Sequence, residues 1–115
     1  MEWRPLSVDE KRILSKMLGE DFSGRDAVAE QIDHALVGQI DAEGSLKFKV
    51  DSRTRAETKY RVPVEAECKD SDGVTIHLSL HVLNGLVNEL EIYKEDSSPV
   101  FRRPTATELK VITLA

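Results

Sequence analysis

The chain has 115 residues, of which 40% are hydrophobic, 32% charged and only 5% aromatic, and its formal net charge is −5 at neutral pH. That length and balance fit one globular domain with one mostly aliphatic core. The acidic balance argues against nucleic acid as the main partner, no apolar run reaches membrane-spanning length, and a single cysteine, Cys68, cannot form an intrachain disulfide. The lone thiol points to a reducing compartment, and the opening MEWRPLSVDEKR lacks the apolar core of a secretory signal, so a cytoplasmic location is expected.

Trp3-Arg4-Pro5-Leu6 reads as an extended lead-in, because Pro5 disfavours helix at Arg4. Ser7-Val8-Asp9-Glu10 matches a capping box, and Ile13, Leu14, Met17 and Leu18 form one stripe behind it. The pattern predicts a first helix over Val8–Leu18, stopped at Gly19. Ser23 is the next expected cap, with Asp26 in the first turn and Val28, Ile32 and Ala35 or Leu36 at helical spacing. A second helix is predicted over Gly24–Ala35, with His34 a surface residue near its end.

Leu36–Ile40 and Ser45–Val50 read as a hairpin closed by Ala42-Glu43-Gly44, with Leu46, Phe48 and Val50 inward and Lys47 and Lys49 outward. Asp51–Lys59 is a polar, flexible-looking connection. Tyr60–Lys94 then alternates apolar and polar residues through three runs, the signature of an antiparallel meander with one buried face. Ser71-Asp72-Gly73 as a three-residue turn pairs Ala66 with Leu78 and Cys68 with Ile76. A two-residue Asn84-Gly85 turn would set Leu80 against Glu89, placing charge on the apolar face. A three-residue loop, Leu83-Asn84-Gly85, keeps the faces consistent and pairs Val82 with Leu86, Leu78 with Leu90 and Ile76 with Ile92. Glycine at the end of each loop supplies the left-handed conformation, so Gly44, Gly73 and Gly85 should have positive φ. Val100-Phe101 reads as a short further strand, and Thr105–Ala115 as an edge strand, a swapped segment or a poorly ordered tail.

Arg4-Pro5-Leu6-Ser7-Val8-Asp9-Glu10-Lys11 and Asn84–Lys94, followed by Ser98-Pro99-Val100, resemble a family of small bacterial domains catalogued without a known function. The resemblance spans roughly residues 4–104 and implies a compact helix-plus-sheet domain with no established catalytic residues. In size, acidity and architecture the chain is also similar to the immunity proteins of bacterial toxin systems.

The outward face of the meander is the one constellation with chemical potential. The preferred register sets His77 between Glu91 and Glu67, Ser79 against Glu89 and Thr75 against Tyr93; a five-residue preceding turn would replace Glu67 by Glu65. Directly opposed residues approach to about 5 Å between Cβ atoms. Glu67, His77, Glu89, Glu91 and Tyr93 are therefore the candidate binding residues. One imidazole and two carboxylates can hold a divalent metal or act as a general base, but a solvated polar sheet face accounts for the same residues. Cys68 shares the inward row and reads as a small buried hydrophobe. Lys47, Lys49, Arg53 and Arg55 form a basic patch able to meet phosphates or an acidic protein, or simply to be solvated.

The expected fold is α+β: two N-terminal helices packed on one face of an antiparallel meander sheet of about five or six strands. Residues 1–104 form a single domain and 105–115 a C-terminal tail. The expected function is noncatalytic protein binding, in an immunity-like form. The alternative is a small metal-dependent or acid-base enzyme using the His77 cluster, and a third reading is nucleic-acid binding through Lys47–Arg61. The sequence assigns no catalytic residue, metal or cofactor. The expected partner is another protein, without membrane association, and a homo-oligomer through a sheet edge or the tail is open.

Overall fold

The computed structural model describes residues 1–51 and 53–114; Ser52, within the polar connection, and Ala115, at the end of the tail, lie outside the described residues. Helix α1 spans Val8–Met17 and α2 spans Arg25–Asp33. They are followed by β1 (Leu36–Gln39), β2 (Leu46–Lys49), β3 (Val64–Lys69), β4 (Thr75–Leu83), β5 (Leu86–Lys94), a short 3₁₀ helix (Ala106–Glu108) and β6 (Lys110–Thr113). The strands form one antiparallel sheet in the order β1-β2-β5-β4-β3-β6, so the fold is α+β as expected. No helix among the described residues is long and apolar enough to cross a membrane.

The capping box at the start of α1 forms in both directions: the Glu10 amide donates to Ser7 Oγ, and the Ser7 amide donates to Glu10 Oε1. Arg4 reinforces it with a bidentate pair to Glu10 at 2.7 and 2.8 Å. That guanidinium, more than the Ser7 amide, holds the Glu10 carboxyl below its ordinary pKa, against the opposing effect of burial. The second helix departs from the expectation. Its N-cap is Gly24, in the left-handed region at φ 85°, rather than Ser23. A side chain at Gly24 would press on the backbone of Glu57 and Thr58, so close packing of the later segment selects the bare residue.

Ile13, Leu14 and Met17 of α1 and Val28 and Ile32 of α2 are buried with the inward rows of the sheet. Val64, Ala66 and Cys68 of β3, Ile76, Leu78 and Leu80 of β4, and Leu90 and Ile92 of β5 all lie in this core, as the alternation predicts. The β3–β4 register is also the predicted one, with Ala66 opposite Leu78 and Cys68 opposite Ile76. Its turn is closed by Gly73, whose amide donates to the Asp70 carbonyl. The first hairpin differs slightly. Ile40 pairs with Ser45, so its loop has four residues, Asp41–Gly44, rather than three. Gly44, Gly73 and Gly85 all have positive φ.

The β4–β5 register differs from the expectation by two residues. Leu83 pairs directly with Leu86, leaving Asn84 and Gly85 as a two-residue turn with φ of 52° and 78°. Positive φ at both positions is the conformation that Asn-Gly favours and that suits strand twist. The conflict between that turn and the apolar face is removed by a bulge. Val82 pairs with Val87 but His81 pairs with Glu89, so Asn88 is an extra residue. Beyond it Leu80 faces Leu90 and Leu78 faces Ile92, and the inward residue near the turn is Val87 instead of Leu86.

Gln31 and Lys94 are the largest of the buried polar side chains. Gln31 of α2 is 1% exposed; its amide nitrogen donates to the carbonyls of Thr54 and Gly85, and its oxygen accepts from the Val87 amide. It therefore fastens the helix to the bulged hairpin. Lys94, at the inward end of β5, contacts Asp72 at 2.6 Å and Asp70 at 3.1 Å, with its ammonium 3.9 Å from the centre of the Phe101 ring. Burial opposes its charge, but hydrogen bonds to Asp72 and Asp70 outweigh this and raise its pKa. Burial likewise opposes ionisation of Asp70, yet the amides of Phe101 and Ser71 together with Lys94 bring its pKa down to about 2. The Asp70 contact with the Phe101 amide ties 99–101 to the β3–β4 turn; this segment is a loop and not the short strand expected at Val100-Phe101.

The tail is ordered within the sheet: β6 pairs with β3, setting Lys110 opposite Glu67 and Ile112 opposite Glu65. At the other edge, Arg4 pairs with Val37 of β1 through two backbone hydrogen bonds.

Candidate functional site on the open sheet face

The helices cover one face of the sheet, so the residues of opposite parity line the other. From β3 come Glu65 and Glu67, from β4 His77, Ser79 and His81, and from β5 Glu89, Glu91 and Tyr93. The two-residue shift of β5 changes which groups meet. His77 does not face Glu91, as the preferred register required; it faces Tyr93 on one side and Glu67 on the other. Its ring stacks on Tyr93 with centroids 5.2 Å apart, and its Nε2 lies 3.3 Å from Glu95 Oε1. Glu91 lies opposite Ser79 and Glu89 opposite His81. The His77–Glu67–Glu91 trio is therefore absent, which removes the geometry on which the enzyme reading rested.

The carboxylates gather instead around His81, which sequence reasoning missed although it shares the parity of His77 and Ser79. His81 Nε2 is 3.0 Å from Glu91 Oε1, and ligand atoms of His81, Glu89 and Glu91 lie within 4.8 Å of one another. Arg61 decides how this trio works. Its Nε–H donates to His81 Nδ1 at 3.4 Å, so Nδ1 presents a lone pair and Nε2 carries the proton donated to Glu91. A metal on Nε2 needs the reverse tautomer, with Nδ1–H donating to an acceptor. A guanidinium stands where that acceptor should be. In this arrangement the cluster is a hydrogen-bonded charge network, with Arg61 on the ring nitrogen that would have to carry the proton if Nε2 bound a metal.

Tyr93 is 42% exposed, and its hydroxyl is held neutral to higher pH than usual, first by partial burial and then by Glu91, Glu65 and Glu95. The basic candidates disperse. Lys47 lies beside Glu89 in the ladder and donates to Asn88 Oδ1, and Lys49 sits 5.8 Å from the centre of the Trp3 ring. Arg55 donates to the Asn84 carbonyl and so clamps the hairpin turn, while Arg53 is exposed in the preceding connection. No continuous basic stripe results. Cys68 is buried, and desolvation, followed by the nearby Glu108 carboxylate, pushes its thiol up to about 11, which leaves it unreactive at neutral pH.

A family profile described as "Domain of unknown function (DUF6984)" matches residues 3–104. The chain belongs to this family. The match runs from the lead-in through α1, α2 and β1–β5 and ends before the 3₁₀ helix and β6. The open face of β3–β5 is therefore built within the family domain, and β6 adds the strand beside Glu65 and Glu67. No curated protein and no solved structure matches the chain.

Proposed function

We propose that this DUF6984 chain is a noncatalytic protein-binding domain of the bacterial cytoplasm, and that its open sheet face docks a partner rich in Lys and Arg. The observation that carries this reading is the composition of β3–β5 on that face. Four carboxylates, Glu65, Glu67, Glu89 and Glu91, share that face with a half-exposed Tyr93, and both of its histidines are engaged by carboxylates. Aromatic anchors and complementary charge are what protein interfaces use for affinity and for encounter rate. A sheet face that carries several carboxylates beside a half-exposed aromatic ring suits docking better than chemistry on a small substrate.

The test is affinity capture from a native extract, followed by titration of the recovered partner. Binding should be lost in the double variant Glu89→Lys/Glu91→Lys and weakened by raised salt. It should survive Lys11→Glu, on the exposed side of α1. A partner held equally by wild type and by the double variant would refute docking on this face.

A further inference from the structure

The sheet ends in two edge strands, β1 and β6, and only one of them is covered. Along β1 the lead-in pairs Arg4 with Val37 through two backbone hydrogen bonds, and the Met1 side chain lies over Gly38. Beyond β6 no strand lies among the described residues. We infer that β6 is a dimerisation edge, which pairs antiparallel with β6 of a second copy of this chain about a two-fold axis at Ile112.

The backbone fixes which groups are free. The Leu114 amide donates to the Pro63 carbonyl, so in the antiparallel ladder the polar groups of Lys110, Ile112 and Leu114 turn toward β3. The amides and carbonyls of Val111 and Thr113 turn outward. One register between two copies uses all of them, with Val111 of each copy exchanging two hydrogen bonds with Thr113 of the other. Ile112 then meets Ile112 across the axis, and Leu114 meets the stem of Lys110. Ile112 and Leu114 are 40% and 44% exposed, so this contact removes apolar surface from water on both copies. The usual guards against edge pairing are missing from β6. It contains no proline and keeps an unbroken register with β3, without a bulge. Its one charge, Lys110, stands opposite Glu67 and meets no like charge in the proposed register. Glu65, beside Ile112, stays three strand spacings, about 14 Å, from its counterpart, which exceeds the Debye length of about 8 Å at physiological salt. A foreign strand meets the same donors. The second copy is favoured because its own outward groups are satisfied in the same step, as in an isologous interface.

Sedimentation equilibrium of the full chain tests this. One strand pair makes an interface below the standard size, so association is weak and is followed from about 10 µM to about 1 mM protein. The mean mass should climb toward twice that of the chain. Ile112→Lys sets two ammonium groups directly across the axis and should hold the protein as a monomer. Thr113→Pro should do the same, because it deletes an outward amide and leaves the bonds to β3 in place. Ile112→Cys reads the register. The Cα atoms of such a non-hydrogen-bonded pair lie about 4.5 Å apart, within disulfide reach, so oxidation by copper phenanthroline should give a covalent dimer that Lys110→Cys does not. A wild type that stays monomeric at about 1 mM overturns the inference. So does a dimer that persists in both Ile112→Lys and Thr113→Pro, or one that only Glu89→Lys/Glu91→Lys dissolves, which would put the contact on the docking face.

Discussion

Gln31→Ala is the sharpest test of how this fold is held. The side chain is buried and makes three hydrogen bonds, to Thr54, Gly85 and Val87. The three are not equivalent. The Gly85 carbonyl also accepts from the Ala56 amide, so it keeps a partner. The Val87 amide, beside the bulge, is left with its donor buried. A stranded buried donor costs about 1–3 kcal/mol and each ordinary hydrogen bond contributes about 0.5–1.5 kcal/mol net, so the variant should lose about 3 kcal/mol. Urea unfolding followed by far-UV circular dichroism measures this, and amide exchange at Val87 should accelerate in parallel. Gln31→Glu separates hydrogen bonding from packing. It keeps an acceptor for Val87 but turns a carboxylate toward two carbonyl oxygens. Its folded-state pKa must rise above the unfolded value, so the variant should regain stability as the pH falls and the carboxyl protonates. A loss below about 1 kcal/mol in Gln31→Ala, or a Gln31→Glu variant indifferent to pH, would refute the argument.

Leu78→Ala, at a fully buried site in the central strand, should cost about 2–5 kcal/mol in denaturant melts; a value under about 1 kcal/mol would mean that the site collapses around the change. Gly85→Ala should destabilise the protein, because φ is 78° there and a Cβ would come within 2.8 Å of Arg55; unchanged stability would contradict this turn geometry. Excess Zn²⁺ should leave the melting temperature unchanged, because Arg61 opposes the tautomer that a metal needs at His81; a rise that His81→Ala removes would restore a metal site. The Asp70 carboxyl titrates near 2 in the folded chain against an ordinary 3.8, so its contribution is present above about pH 3.8 and is lost as the pH falls toward 2. The stability gap between wild type and Asp70→Asn should therefore be constant near neutrality and close on acidification; a gap unchanged at pH 2 would show that the charge contributes nothing.

Much of this fold could be read from local pattern, because alternation assigns faces without reference to distant partners. The core row of β3, β4 and β5 and the β3–β4 register were legible for that reason. What escaped were residues whose role depends on chain far away. Lys94 continues the inward row of Leu90 and Ile92, and its burial is made tolerable chiefly by Asp70 and Asp72, in a turn more than twenty positions earlier, with the Pro99 carbonyl and the Phe101 ring. Gln31 sits in a helical stripe, but its partners lie between residues 54 and 87. The cap of α2 moved from Ser23 to Gly24 because residues 57 and 58 pack against it.

The β4–β5 register failed for a more instructive reason. Asn84-Gly85 was a strong two-residue turn signal, and it conflicted with the apolar face. Lengthening the loop resolves that conflict; so does an extra residue in one strand. The protein takes the second course, since it keeps the favourable turn and places the irregularity at Asn88, where the side chain is partly solvated and accepts from Lys47. This choice also determines the site. Sliding β5 by two positions leaves the faces beyond the bulge unchanged but moves Glu91 from His77 to Ser79 and Glu89 from Ser79 to His81. From Glu89 onward a burial pattern cannot detect such a shift, because both registers bury Leu90 and Ile92; only the exchange of Leu86 for Val87 beside the turn marks it. The identity of facing polar groups is therefore carried by the bulge, and the carboxylates converge on a histidine whose second nitrogen is already taken by Arg61.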